Sequence, residues 1–316
     1  MDPEPNQSTD TGVGVANSAV NVVIASGALQ NQGLVRERQE DSCLAHVLTD
    51  KPAALLVVAD GMGGHQAGDI ASQAAVEAVA QALLPVLNSL QPSATVRLPE
   101  QGEADAAPAQ AANPLRTVNL SQATVVLSEP AVAQTPQWDI LLARAVQGAQ
   151  NAVRSAAARV DALDDAGCTL TLALVVGQTL HLAHVGDSRA YLWRQSQLRQ
   201  LTTDHSGAAA LVAAGLITAE EARTHAAAHQ LYRYLGGESG SAKPDILQVR
   251  LQPEDLVLLC SDGLWGMVPD AEIAGHLIGV SDLAVAAQAL IDAANNAGGE
   301  DNITAVLAQI KGTGQE

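Results

Sequence analysis

Phenylalanine is absent from the 316 residues, and aromatic residues together make up 2% of the chain. That scarcity removes the stacking platforms on which single-stranded nucleic acids are held. Positive charge is also short: 16 Lys and Arg stand against 34 Asp and Glu, a formal net charge of −18, and no basic cluster occurs anywhere. Such a balance argues against a duplex-binding surface and against adhesion to anionic lipid, so the expected partners include no nucleic acid and no membrane. Cysteine is limited to Cys43, Cys168 and Cys260, which are isolated, odd in number and without a CxxC or a His at zinc spacing. Neither a disulfide framework nor a structural zinc site follows, and buried reduced thiols of a cytoplasmic protein are expected. The acidic start Met1-Asp2-Pro3-Glu4-Pro5 has no basic or apolar leader region, and no apolar run approaches the ~20 residues that span a bilayer.

What is present is ample core: 47% hydrophobic residues, enough for one large domain. Residues 1–18 read as a flexible arm. Between Gln91 and Gln137 the chain carries Pro92, Pro99, Pro108, Pro114, Pro130 and Pro136 among Ala, Gln, Ser and Thr with no period, which predicts a disordered or loosely packed insertion whose deletion (93–134) spares folding. Helices flank it. Ile70, Ala74, Ala78 and Leu83 suggest an apolar stripe that Pro85 kinks or ends, and Trp138, Leu141, Leu142, Ala145, Ala149, Val153 and Ala157 form a second. Strands are expected over Val20–Ser26, Thr169–Val176, Thr179–His184, Ala190–Trp193, Gln197–Leu201, Ile246–Val249 and Leu256–Cys260, with tight connections typical of antiparallel pairs. A helical pattern returns between Ser206 and Gly236, where Thr218-Ala219-Glu220-Glu221 reads as a capping box, and again over about Asp282–Ala294. The order indicates an antiparallel α+β architecture.

Carboxylates stand where apolar runs stop or start: Asp60 after Leu55-Leu56-Val57-Val58-Ala59, Asp262 after Leu256–Ser261, Asp301 before Ile303-Thr304-Ala305-Val306, and Asp187 after His184-Val185-Gly186. One Asp-Gly after a strand is usually a turn. Four converging carboxylates repel one another and call for a cation. All-oxygen ligands select Mg²⁺ or Mn²⁺, and two such ions ~3.5–4 Å apart lower the pKa of a shared water and aim it at phosphorus, so metal-assisted phosphoester hydrolysis is the implied chemistry. Gly61, Gly63 and Gly64 let backbone, including the Gly61 carbonyl, approach the ions. The same stretch lacks the Gly-Lys-Ser/Thr of a phosphate loop. Arg36 supplies a guanidinium fork for a phosphate, and Glu40 and Asp41 suit hydrogen bonds to metal waters from a second shell.

In this order, the segments Arg36–Asp41, Asp60-Gly61-Met62-Gly63-Gly64-His65, Gly167-Cys168-Thr169-Leu170, Gly186-Asp187-Ser188-Arg189, Leu201–Ser206, Ser261-Asp262-Gly263-Leu264-Trp265 and Glu300-Asp301-Asn302 resemble the metal-dependent protein phosphatases of the protein phosphatase 2C family, bacterial type. The resemblance implies two central antiparallel sheets sandwiched between pairs of helices, a four-layer α/β/β/α arrangement within a catalytic domain of residues 19–312, and a flap over 206–234. It implies that Asp60 bridges two Mg²⁺ or Mn²⁺ ions, that the Gly61 carbonyl binds one and that Asp262 and Asp301 complete the other. Asp187 with Asp262 would hold a weaker third ion, and Arg36 the substrate phosphate. Dephosphorylation of phosphoserine and phosphothreonine in proteins follows, in signal transduction, with serine/threonine kinases and their substrates as partners. A catalytically inactive phosphoprotein-binding module and a small-phosphoester hydrolase are the alternatives. Gln39, Cys168, Gly266 and the missing Pro after His225 depart from the family's usual pattern, Gly266 putting the third ion in doubt. His65, His205, His225 and His229 are candidate general acids, His65 and His205 first.

Overall fold

The computed structural model describes residues 22–63, 67–90, 137–160, 166–237 and 242–312. The expected arm (1–18), the expected insertion (91–137, apart from Gln137) and His65 lie outside them.

Apolar runs form two five-stranded antiparallel sheets. The first joins β2 (Ser42–Val47), β3 (Ala53–Ala59), β6 (Leu170–Val176), β7 (Thr179–Val185) and β11 (Asp245–Arg250) in the order β11-β7-β6-β3-β2. The second joins β1 (Val22–Asn31), β8 (Arg189–Arg194), β9 (Gln197–Gln200), β12 (Leu256–Cys260) and β13 (Ile303–Gly312) in the order β1-β13-β12-β8-β9. A small sheet of β4 (Gly61–Met62), β5 (Gly167–Cys168) and β10 (Leu235–Gly236) lies beside them. Strands buried on both faces lose the polar alternation, and β3 is buried at all seven positions.

The period of two in a strand sends alternate side chains to different layers. Leu56, Val58, Leu182, Leu259 and Val306 pack between the two sheets. Leu55, Val57, Leu172 and Leu174 face α1 (Ala67–Ser89) and α2 (Trp138–Ala158). On the other side Leu258, Ala305 and Leu307 face α6 (Asp270–His276) and α7 (Leu283–Asn296). The expected four-layer sandwich results. The flap holds α3 (Gly207–Ala213) and α4 (Ala219–Arg223), with the Thr218/Glu221 capping box formed. Neither α6 nor the short α5 (Asp262–Trp265) was expected, since each is too brief for a helical period.

Three expectations for α1 are corrected. It does not end at Pro85 but runs on to Ser89, where Leu87 is fully buried and Lys51 Nζ donates to the last-turn carbonyl of Asn88 at 2.8 Å. Its buried line is Ala71, Ala75, Val79, Leu83 and Leu87, with Ile70, Ala74 and Ala78 only half-buried. With alanine at so many positions several faces look alike, and packing against α2 and the sheet selects one. Finally, its best 18-residue window has a mean hydropathy of 1.5, long and apolar enough to cross a membrane by composition. Asp69, Gln73, Glu77 and Gln81 interrupt the run in sequence but share one face.

Candidate active site

Antiparallel pairing explains why distant carboxylates meet. The C-terminal ends of β3 and β7 lie at the same end of their sheet because each pairs antiparallel with β6, which brings Asp60 and Asp187 together. Likewise the end of β12 and the start of β13 are adjacent, which brings Asp262 and Asp301 together. The loop before β2 delivers Arg36, Glu40 and Asp41 to the same edge. Arg36, Glu40, Asp60, Gly61, Asp187, Asp262 and Asp301 line one cleft of about 630 Å³, joined by Met62, Trp265, Met267 and, from the flap, Arg223, His229 and Leu231.

The backbone that carries Asp60 and Asp187, and the carboxylate of Asp301, are held by groups behind them. Asp60 donates its N–H to Thr169 Oγ1 at 2.9 Å, accepts the Thr169 N–H at 2.8 Å, and Thr169 Oγ1 lies 2.7 Å from Ser188 Oγ. The Asp187 carbonyl accepts Trp265 Nε1–H at 3.0 Å, and the indole lies under the Arg189 guanidinium, which forks onto Asp204. Asp301 Oδ1 accepts the Asn302 N–H at 2.8 Å and its Oδ2 pairs with Arg36 Nη2 at 2.6 Å. Gly61 is obligatory, since a Cβ there would run into the backbone carbonyls of Gly68 and Glu40.

Asp41 is the exception to the cleft placement. It lies behind the wall, 5% exposed, with Oδ2 accepting from Ser261 Oγ and Thr304 Oγ1, both at 2.7 Å, while its Oδ1 is buried without a partner. A buried orphan acceptor beside a carboxylate cluster is what a water held by a metal ion would satisfy.

The electrostatics point the same way. Burial, then Asp41, Asp262, Asp187 and Asp301, push the Asp60 carboxyl well above its ordinary range. Burial and Asp262 do the same to Asp187, and burial raises Glu40. Asp301 is raised by burial and by Asp262 despite its bonds to Asn302 and Arg36. Burial brings Asp41 to about 7 against the pull of Thr304 and Ser261. This set repels itself without a cation. The donors are carboxylates and a backbone carbonyl, which fit Mg²⁺ or Mn²⁺.

The histidines are sorted by geometry. His205 is buried: its Nδ1 accepts the Gly186 N–H and its Nε2 faces Asp245, so it clasps the flap's base and does not reach the cleft. His225 Nδ1 accepts the Ala227 N–H. His229 reaches the site, its Nδ1 3.3 Å from Asp262 Oδ2, a contact that raises its pKa. Ligand atoms of Asp187, His229 and Asp262 all lie within 4.8 Å of one another. Sequence reasoning gave His229 no priority, because a carboxylate site needs no imidazole and the flap carried the weakest pattern. Asn302 was also underrated. Its Oδ1 accepts the Glu40 N–H at 2.7 Å and its Nδ2 donates to the Gln32 and Arg38 carbonyls at 2.9 and 2.7 Å, fixing the Arg36 loop. Of the departures, Gln39 Oε1 accepts the Asp41 N–H, Cys168 is buried with Sγ 3.6 Å from the Ala71 carbonyl, and the Gly266 carbonyl accepts Arg223 Nη2.

Residues 33–308 match the family model described as protein phosphatase 2C. The chain is 32% identical over 279 residues to serine/threonine phosphatase stp of Listeria innocua, covering 88% of this chain and 93% of that one. It is 33% identical over 291 residues to serine/threonine protein phosphatase PstP of Mycobacterium tuberculosis, covering 92% of this chain and 46% of that longer protein. The crystal structure of a PstP catalytic domain in complex with two manganese ions superimposes with a TM-score of 0.67 at 30% identity, over 92% of this chain and all of that one. Motif order, fold and the converging carboxylates agree: the chain belongs to the protein phosphatase 2C family.

Proposed function

We infer that this cleft hydrolyses phosphoserine and phosphothreonine esters in proteins, as a metal-dependent serine/threonine phosphatase. The observation that carries the reading is the convergence of Asp60, Asp187, Asp262 and Asp301 beneath Arg36 at one end of both sheets. The manganese-bound PstP relative supports it.

Asp60, the Gly61 carbonyl, Asp262 and Asp301 would hold two Mg²⁺ or Mn²⁺ ions, with Glu40 and Asp41 acting through water, and Asp187 with Asp262 and His229 a third. When bound, such ions supply a water of lowered pKa and positive charge for in-line displacement at phosphorus. Arg36 would receive the phosphate: its side chain is 49% exposed and lines the cleft, with Nη2 held by Asp301 Oδ2. Asp41 Oδ1, buried and without a partner among the described residues, would accept from a metal-bound water. His229, with Nδ1 3.3 Å from Asp262 Oδ2, is the one of the three described candidate histidines that reaches the cleft. Trp265 and Leu231 give the cleft an apolar part of its wall. The cellular setting we propose is the cytoplasm, opposing serine/threonine kinases in signal transduction; three free cysteines and the acidic surface suit it.

Phosphate release from a phosphothreonine peptide with Mn²⁺, with Mg²⁺ and with EDTA, alongside Asp262→Ala, tests this. Release that EDTA and the variant both abolish is expected. No release from folded protein with either metal overturns the hydrolase reading in favour of a phosphoprotein-binding module, and release from small metabolites but not from peptides would reassign the substrate class.

A further inference from the structure

A second cavity, of about 350 Å³, lies between the flap and the second sheet and has no part in the cleft chemistry. Its volume is within the ~300–1,000 Å³ of small-molecule sites, whereas packed interiors leave few voids larger than a water molecule. Helices α3 and α4 supply one wall; β8, β9, the loop that follows them and Trp265 supply the other. The two walls differ in chemistry.

The flap's wall is apolar and short of bulk. Ala209, Val212 and Ala213 of α3 and Ala219 and Ala222 of α4 line the cavity. Apart from Arg223, no flap side chain lining it is larger than valine. Helices that pack on a sheet ordinarily interdigitate through larger side chains, so these alanines leave room that the chain itself does not fill.

The other wall is polar and balanced within itself. Asp204 accepts from Arg189 Nε at 3.0 Å, from Arg189 Nη2 at 2.8 Å and from Gln200 Nε2 at 3.1 Å. The Arg189 guanidinium in turn lies 3.6 Å from the centre of the Trp265 ring. Arg223 breaks the balance. It is half-buried, donates Nη2–H to the Gly266 carbonyl at 3.1 Å and forms no ion pair among the described residues. A guanidinium has five donors, so the remaining N–H groups and the charge of Arg223 call for an anion. One guanidinium balances one charge, and Asp204 in the same cavity disfavours a dianion. Arg223 and Trp265 also line the active cleft, and Trp265 Nε1–H donates to the Asp187 carbonyl at 3.0 Å, so the two cavities share a wall.

We propose that this cavity is a regulatory site for a small amphipathic monocarboxylate, which lays its apolar body on the alanine wall of the flap and its carboxylate on Arg223. Occupancy engages a cation that otherwise stands in the wall of the cleft with Arg36, and so weakens the binding of phosphopeptides there. The binding site stands on the cavity alone, whereas its effect on turnover rests on the hydrolase reading. Coupling of this kind is reciprocal, so a bound phosphopeptide weakens the carboxylate by the same factor.

The test titrates naphthoate and its uncharged isostere naphthamide into the intact chain in EDTA by calorimetry. The variants are Arg223→Gln, Arg36→Ala and two that fill the void from different helices, Ala209→Leu and Ala222→Leu. The wild type should bind naphthoate roughly tenfold more tightly than naphthamide, and Arg223→Gln should make the two nearly equal. Each filling variant should lose both ligands while its melting temperature is kept or raised. With Mn²⁺ present, naphthoate should raise the KM of the wild type for a phosphothreonine peptide and leave kcat unchanged, and the filling variants should turn over normally without responding. No binding by the wild type overturns the site, as does equal binding of acid and amide, or filling variants that bind as the wild type does. Binding lost in Arg36→Ala and kept in the filling variants places the acid in the cleft and overturns the site as well. Binding at this cavity with an unchanged KM overturns the regulatory role. No peptide turnover by the wild type removes the hydrolase reading and that role with it, while the calorimetry still decides the site.

Discussion

Removing the Asn302 side chain tests how the site is assembled. Asn302 is 4% exposed and is the joint through which β13's leading loop grips the Arg36 loop. Asn302→Ala deletes one bond received from the Glu40 N–H and two given to the Gln32 and Arg38 carbonyls. At about 1 kcal/mol net for each bond, the loss is about 3 kcal/mol, and it grows if the orphaned Glu40 N–H stays dry. At about 2–4 °C per kcal/mol for a domain of this class, the melting temperature should fall by roughly 6–12 °C. Thermal unfolding by circular dichroism in EDTA reads this without the stabilisation that bound metal adds. Asn302→Asp sharpens the test: it keeps an acceptor for Glu40 but turns an acceptor toward two carbonyls, so it should be no better tolerated than alanine. In turnover assays both variants should raise KM for phosphopeptides, because Arg36 loses its support. A change in melting temperature under about 2 °C, or a benign Asn302→Asp, would refute the claim that this side chain holds the loop.

Four other outcomes follow from the same geometry. Asp41, Asp60, Asp187 and Asp301 hold their protons more tightly folded than unfolded. His181, His184 and His205 are held below the ordinary 6.5 and oppose them at lower pH, so the metal-free protein should lose stability as pH rises from about 6.5 through about 7, where Asp41 titrates, and beyond. Asp245 and Glu221, held low, act below that window. Melting temperatures in EDTA that rise across the window would contradict this, and saturating Mn²⁺ should remove the decline. Gly61→Ala forces a Cβ into the Gly68 and Glu40 carbonyls and should abolish Mn²⁺ binding in calorimetry; an intact isotherm would show that the turn yields. His229→Ala should weaken Mn²⁺ more than Mg²⁺ at the outer site, since imidazole favours the transition metal, and equal losses would remove it as a ligand. At low salt, peptides with Lys or Arg near the phosphosite should turn over faster than acidic ones, given the net charge of −18; equal rates would argue against steering.

Strands were legible because their runs are long and branched, and β12 keeps the expected bounds of Leu256–Cys260. The carboxylates were legible because each stands where an apolar run meets a turn, a placement set by chain-local chemistry. What sequence did not reveal depends on packing. Alanine-rich α1 offers several equivalent faces, so the choice of Ala71 over Ile70 is made by α2 and the sheet. His229 reaches Asp262 only because the flap folds back through the Ser206 and Leu231 bridge. His205 looked like chemistry but serves the fold, and nothing in its neighbours distinguishes the two roles until Gly186 and Asp245 are brought to its ring. Asp41 was expected to act through water from a second shell; what stayed hidden is which groups bond it, since Ser261 and Thr304 lie 220 and 263 residues away in the chain.

The placement of Asp41 explains how the fold tolerates its own active site. A cluster of like charges weakens a folded state, and here four cleft carboxylates share one edge of two sheets. The cost is confined to strand ends, where side chains contribute little to the apolar layers, while Leu56, Val58, Leu259 and Val306 fill the space between the sheets just inside. Asp41 reaches inward from that edge and is bonded by Ser261 and Thr304, which precede α5 and begin β13. One carboxylate thereby ties both halves of the second sheet's metal-facing edge to the first sheet through β2. Its remaining oxygen, buried and without a partner among the described residues, is an acceptor that a metal-bound water would satisfy. Asp41→Asn would relieve the buried charge yet leave this junction with the wrong acceptor count. It should stabilise the metal-free protein above neutral pH and lower its affinity for Mn²⁺, a pair of opposite changes that a purely structural carboxylate would not produce.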